Sequence, residues 1–409
     1  MAGKDILKNS WHISGGRILD PLSGRDEIAD VVIENGVIVP PDGPAIEKAV
    51  RIDASGLIVV PAFIDLHVHL REPGYEEAET VASGLSSALA GGFGTVVAMP
   101  NTFPPVDSPE QVLRLLERAG EFGRVNVLPC GCITKGRGGT ERADLEAMAE
   151  AGAAAFSDDG STVADSSIMR EAMEISARLG LPVMDHALDP VLAGSGVARE
   201  GAAVLKTGLD GIPARAETDT VRRDIDLSAE TGCAVHIQHV SCAESVDFIR
   251  SARSRGLRVS GEATPHHLVF NCDDIDGDNP DFKMNPPLGT ESDRLALVEG
   301  VADGTLSALA TDHAPHTEKE KSKGFAGAPF GVIGLETAVG ATYTGLVKSG
   351  RMTLMDWIRR WTVGPARILG IEPSGLAFGN RGMVALIDTA ETYRISADSF
   401  VSRSRNTPF

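Results

Sequence analysis

From Leu57 to about Gly370, short apolar runs alternate with longer stretches in which apolar residues recur at helical spacing. The apolar runs are 57–69, 94–101, 124–134, 151–159, 181–186, 234–241, 257–267 and 306–316. Each has the length and composition of a buried strand. Between them, segments such as 76–90, 108–119, 166–179, 213–231 and 243–255 read as amphipathic helices. Asp107-Ser108-Pro109 and Asp165 supply helix-start signals, and Gly91, Gly180 and Gly256 supply stops. Eight such alternations predict an α/β fold, a (β/α)8 barrel of the TIM type over 60–370. A doubly wound open sheet would carry a glycine-rich loop after its first strand. Here Gly91-Gly92-Phe93-Gly94 precedes a strand instead.

The two ends of the chain follow a different pattern. Trp11 to Asp53 shows short alternating segments punctuated by Asp20-Pro21, Glu34-Asn35-Gly36 and Pro40-Pro41-Asp42-Gly43, which predict small hairpins. Gly375 to Ile395 looks similar. Residues 1–59 and 371–409 are therefore expected to meet in a small β-sandwich beside the barrel.

Composition narrows the function. A chain of 409 residues, 42% hydrophobic, can bury a large core. The formal charge of −19 argues against nucleic acid and against an anionic membrane surface, so any anion must be recognised by local positive charge. No apolar run reaches membrane-span length, and Met1 to Ser10 lacks the basic-then-apolar order of a secretion signal, so the cytoplasm is the expected compartment. Cys130, Cys132, Cys233, Cys242 and Cys272 form no CxxC pair and read as buried thiols.

The chemistry gathers where the strands end. In Asp65-Leu66-His67-Val68-His69-Leu70-Arg71 the two histidines and the arginine share one strand face, so the imidazoles can grip one metal ion. A histidine pair alone could equally be a buried structural one. This pair has company: Asp158-Asp159, His186, His239 and Asp312 each stand where another apolar run stops. In such a barrel the C-terminal strand ends carry the catalytic groups. Arg71 is suited to a carboxylate, which a guanidinium can bind bidentately, and Asn101 and Asn285 offer neutral hydrogen bonds at other strand ends.

That order of motifs resembles the amidohydrolase superfamily, and the local sequences look like dihydroorotases of the class I type. The matching stretches include Asp65 to Gly74, Met99-Pro100-Asn101-Thr102, Phe156 to Gly160, Met184-Asp185-His186, His239-Val240-Ser241, Thr264 to Leu268, Lys283 to Leu288, Thr311 to His316 and Gly334 to Thr337. The resemblance implies reversible cyclisation of N-carbamoyl-L-aspartate to L-dihydroorotate in pyrimidine biosynthesis, by a metal-bound hydroxide with Asp312 as general acid and base. It implies one or two Zn2+ ions, although manganese, cobalt or iron would also accept these ligands. His67, His69 and Asp312 are assigned to one ion, His186 and His239 to a second, and Asp159 to the bridge, with Asp158 as the alternative acid. Arg71, Asn101, Asn285 and His316 are expected to bind substrate, as are Pro329, Phe330 and Gly331. The polar, glycine-spaced stretch 317–331 that ends at these three reads as a lid. Expected partners are the small-molecule substrate, a second copy of the chain and aspartate carbamoyltransferase.

Two departures stand out. Hydantoinases carry a lysine where this chain has Asp158-Asp159, and that, with Arg71 beside the histidine pair, sets the hydantoinase and allantoinase reading second. An inactive scaffold would be expected to lose ligands, which this chain keeps. The family also runs on past Phe409, so the small domain is expected to lack a last strand.

Overall fold

The computed structural model describes residues 10–43, 45–202, 205–206 and 208–409. The chain opens with β1 (Trp11–Asp20), β2 (Arg25–Glu34), β3 (Val37–Val39), β4 (Val50–Asp53) and β5 (Ile58–Pro61). Barrel strands follow: β6 (Phe63–Val68), β7 (Phe93–Ala98), β8 (Asn126–Gly131), β9 (Ala155–Phe156) and β10 (Val183–Asp185). After a side sheet of β11 (Ala198–Arg199) and β12 (Gly211–Ile212), the barrel continues with β13 (Val235–Ile237), β14 (Val259–Ala263) and β15 (Ala308–Leu309). All eight barrel strands are parallel neighbours in chain order. The ring closes where Val68 bridges His313 in parallel and the His69 N–H donates to the His313 carbonyl at 2.9 Å.

Each of the eight apolar runs overlaps a barrel strand, β7 beginning one residue before its run, and the first holds more than one strand. Run 57–69 divides at Ala62, whose N–H donates to Met383, whereas the next N–H, of Phe63, donates to Gly92. β5 therefore pairs in the small sheet and β6 in the barrel. Only Pro61 punctuates the break, and the strands on either side of it are largely buried on both faces.

Helices cover the outside. Val81–Ala90 starts later than 76, because Thr80 and Ser83 form a capping box. Asp165 accepts the N–H groups of Ser167 and Ile168, as a cap should. Gly91 meets the Leu335 carbonyl so closely that a Cβ would sit 2.1 Å from that oxygen. At the opposite barrel end from the C-terminal strand ends, Phe63 stacks edge-on against Trp357 at 5.6 Å and Phe93 against Trp361 at 5.3 Å, all four fully buried. These rings seat helix Leu354–Trp361 on the starts of β6 and β7.

The small domain is a six-stranded sheet, with β16 (Val384–Ile387) antiparallel to β5. A register shift between Ile13 and Gly16 lets both Ile13 and Ile18, of opposite parity, enter one apolar cluster with Val31, Ile33, Val59 and Leu376. The last residues depart from the expected boundary. Val401 and Ser402 donate their N–H groups to the Glu336 carboxylate, and the chain then runs along the barrel instead of joining the sheet.

The segment read as a lid is closely packed. It contains helices Glu318–Lys321 and Gly324–Gly327, with Phe325 buried. The Lys321 ammonium donates to the carbonyls of Pro280 and Pro329 at 3.0 and 3.1 Å, and that of Lys283 to Ala326 and Ala328 at 2.8 and 2.7 Å. Among the described residues no helix is long and apolar enough to cross a membrane. The five cysteines are buried and unpaired.

Candidate active site

Six side chains leave the C-terminal strand ends and converge. His67 lies within β6 and His69 just after it; Asp159, His186, His239 and Asp312 follow the ends of β9, β10, β13 and β15. All six are nearly fully buried. Arg71, His239 and Asp312 adopt positive φ angles of 61°, 32° and 48°. Left-handed backbone at non-glycine residues is strained, and its clustering here marks a site held by its surroundings.

Asp159 sits at the centre. Its carboxylate lies 3.2 Å from His67 Nε2, 3.4 Å from His69 Nε2, 3.6 Å from His186 Nδ1 and 3.8 Å from His239 Nε2. Asp312 approaches the first pair, 3.1 Å from His69 Nε2 and 3.5 Å from His67 Nε2. His186 Nδ1 and His239 Nε2 lie 2.9 Å apart. Asp158 turns away: its carboxylate accepts the N–H groups of Ile133 and Thr134 and the Thr134 hydroxyl. Of the two adjacent acids, Asp159 is the one that faces the histidines.

The outer nitrogens fix which way each imidazole presents its lone pair. His67 Nδ1 is 3.0 Å from Glu262 and His69 Nδ1 is 2.7 Å from the Asn101 side-chain oxygen. Both Nδ1 atoms therefore donate, and both Nε2 lone pairs face the two carboxylates. His67 Nε2 is buried without a hydrogen-bond partner. Inner nitrogens that face carboxylates while the outer nitrogens are held by acceptors form the donor arrangement of a cation site. The sets His67, His69, Asp312 and His67, Asp159, His239 each bring their ligand atoms within 4.8 Å of one another. His186 borders the second set.

Two supporting carboxylates, Glu262 and Asp65, escaped the sequence reading. Glu262 on β14 is fully buried and spans His67 Nδ1, His236 Nε2 at 2.9 Å and the His239 N–H at 3.2 Å. Burial alone would raise its pKa, but hydrogen bonds from His236 and His67 hold it down at about 2. His236 is thereby a support for this carboxylate. The available signal was a lone glutamate inside an apolar run, since a buried charge needs partners. Asp65 holds the Thr311 N–H at 3.0 Å and tethers β15 to β6; burial lifts its pKa to about 7 despite those bonds. His313 Nδ1 accepts from Gly334 and Leu335, so its Nε2 proton points to Glu79, 3.5 Å away.

A second group sits to one side. Arg71 Nε donates to the Pro315 carbonyl at 3.0 Å, and His316 Nε2 donates to the Phe330 carbonyl at 2.7 Å. Arg71 Nη2 lies 3.3 Å from that same Nε2, which has already spent its proton as a donor. Among the described residues the terminal nitrogens of Arg71 thus meet no acceptor. The Asn285 amide nitrogen lies 3.1 Å from His186 Nε2, and its side-chain oxygen is buried without a partner. Pro329 is fixed through Lys321 and Gly331 through its N–H to the Lys283 carbonyl at 2.9 Å.

Known proteins are similar to this chain over nearly its full length. A family model described as Dihydro-orotase-like matches residues 56–245. The dihydroorotase of Pelotomaculum thermopropionicum is 45% identical over 97% of this chain and 93% of its own length. That of Geobacillus sp. (strain WCH70) is 46% identical over 99% of this chain and 93% of its own. Among solved structures, L-hydantoinase (dihydropyrimidinase) from Arthrobacter aurescens superimposes with a TM-score of 0.83 at 24% identity, covering 97% of this chain and 91% of that one. D-hydantoinase (dihydropyrimidinase) from Thermus sp. gives 0.82 at 22% identity, over 98% and 91%. At such identities the structural likeness speaks for the fold.

Proposed function

This chain belongs to the dihydroorotase family of metal-dependent cyclic amide hydrolases, and from that premise we propose which residues interconvert N-carbamoyl-L-aspartate and L-dihydroorotate. The observation that carries the assignment is the convergence of four imidazoles on Asp159, with the His67 Nε2 lone pair left unpartnered in a buried site. We assign the site to zinc, one or two ions per subunit, because a histidine and carboxylate set suits it. His67, His69 and Asp312 would hold one ion, His186 and His239 the other, and Asp159 both. Bound there, zinc would supply Lewis acidity toward the oxygen that becomes negative as the amide carbonyl turns tetrahedral.

The chain's own residues do the rest. In hydrolysis, water adds to the ring carbonyl carbon and the carbon–nitrogen bond then breaks. Asp312 takes the proton lost by the water and delivers it to the departing nitrogen. In the biosynthetic direction the same carboxylate removes the proton from the attacking nitrogen and returns it to the departing oxygen. Arg71 and Asn101 receive the substrate carboxylate that takes no part in the reaction, joined by His316 as its Nε2 proton passes from the Phe330 carbonyl to that carboxylate, and Asn285 with the backbone from Pro329 through Phe330 to Gly331 orients the ring.

The test is turnover by the purified protein, in both directions, with metal content measured on the same sample. Conversion of dihydroorotate and carbamoyl aspartate is expected. Hydrolysis of unsubstituted hydantoins with neither of these converted would overturn the assignment. Light scattering of the chain alone and mixed with aspartate carbamoyltransferase reads the homodimer and the heteromeric assembly.

A further inference from the structure

The tail that leaves the small domain ends its path on the carboxylate-binding side of the site. Glu336 accepts the N–H groups of Val401 and Ser402, Ser402 donates its hydroxyl to Glu79, and Ser404 donates its own to the Ala78 carbonyl at 2.8 Å. These contacts deliver Asn406, only 4% exposed, between two loops. Its side-chain oxygen accepts the His316 N–H at 3.1 Å. Its amide nitrogen donates to the carbonyls of Ala314 at 3.0 Å and Gly331 at 3.1 Å. Its own carbonyl accepts the Ile333 N–H at 2.9 Å.

We propose that Asn406 is a positioning residue for substrate carboxylate recognition, acting through the loops that carry Arg71's and His316's partners. The inference rests on the reading that Arg71 and His316 receive that carboxylate. One carboxamide ties the segment leaving β15 to the segment through Gly331. Between them lie the Pro315 carbonyl, which orients Arg71, and the Phe330 carbonyl, which orients His316. Only an amide fits all three contacts, because two neighbours are acceptors and one is a donor. A carboxylate would set negative oxygen against two carbonyl oxygens and push the loops apart. Among the described residues the other bonds between these loops are backbone to backbone, as from the Ala314 N–H to the Val332 carbonyl, or pass through the rings of His313 and His316.

The experiment compares Asn406→Asp and Asn406→Ala with the unaltered chain, reading KM, kcat, bound metal and melting temperature. KM for dihydroorotate is expected to rise about tenfold, with kcat changed less than about threefold. Metal content should be unchanged. Asn406→Ala carries the same expectation without a new charge, so a misfolded Asn406→Asp protein leaves the test intact. In an Arg71→Met background the Asn406 effect should shrink to below about fivefold, because part of it acts through that guanidinium and the rest through His316. An unchanged KM, a loss confined to kcat, effects that multiply in the double variant, or failure of both single variants to fold would each overturn the proposal. Absence of dihydroorotate turnover in the unaltered chain would instead refute the reading on which it rests.

Discussion

Asp312 leaves its strand with φ at +48° and its carboxylate 3.1 Å from His69, an orientation the backbone adopts at a cost. Asp312→Asn keeps the shape and removes the proton shuttle. Turnover should fall by at least about 100-fold in both directions, measured by ring opening and ring closure, while the melting curve barely moves. A loss below about tenfold would remove it from acid–base work. Glu262→Gln tests the support beneath His67: the amide can still accept from one imidazole, but it lacks the charge that fixes both. Metal affinity should weaken by about 10- to 100-fold in a competition titration against a chelator, the range found for such supports. The six convergent side chains were legible because strand periodicity placed His67 and His69 on one face and the apolar runs left the other four at strand ends. Glu262 was not, since its role comes from His67 and His236 on other strands, and no spacing within its own run announces them.

Elements were legible by kind more than by limit. All eight apolar runs hold a strand, yet β9 and β15 are only two residues long, the remainder of each run being loop that carries Asp159 or Asp312. The boundary at Ala62 was hidden because hydrophobicity does not report which sheet a strand pairs with. Close approach between elements was equally invisible. Gly364, near the start of helix Val363–Ile368, faces the Ser307 carbonyl at a distance that would put a Cβ 2.0 Å from the oxygen. Gly364→Ala should therefore push the helix off the start of β15 and destabilise the protein by about 1–3 kcal/mol, the usual scale of overpacking. Denaturant unfolding measures this. Ser307 precedes β15, at the opposite end from Asp312, so kcat per folded molecule is expected to stay put. A fall in kcat matching the loss of stability would show that the two barrel ends are coupled.

At the scale of the whole molecule, the course of the tail was the feature least accessible to sequence. Its bonds link residues far apart along the chain, such as Ser402 to Glu79 and Asn406 to His316. The architecture and the site nevertheless draw on separate forces. The barrel is held by an apolar cluster that includes Val68, Val96, Phe156, Val183, Val235, Ala263 and Leu309, whereas the convergent histidines and aspartates project from the strand ends beyond it. Removing bound metal should therefore abolish turnover and leave the secondary structure standing. Stability should still drop, because a ligand that binds only the folded state contributes RT ln(1 + [L]/Kd), about 2.7 kcal/mol at a hundredfold excess over Kd. Without the ion, Asp159, Asp312 and the facing lone pairs remain buried with poorer compensation. Chelator-treated protein is expected to keep its far-ultraviolet circular dichroism, melt several degrees lower and regain turnover when zinc is restored. Loss of the dichroism would make the metal part of the fold, and retained turnover after verified metal removal would refute the assignment of His67, His69, Asp159, His186, His239 and Asp312 to a catalytic metal site.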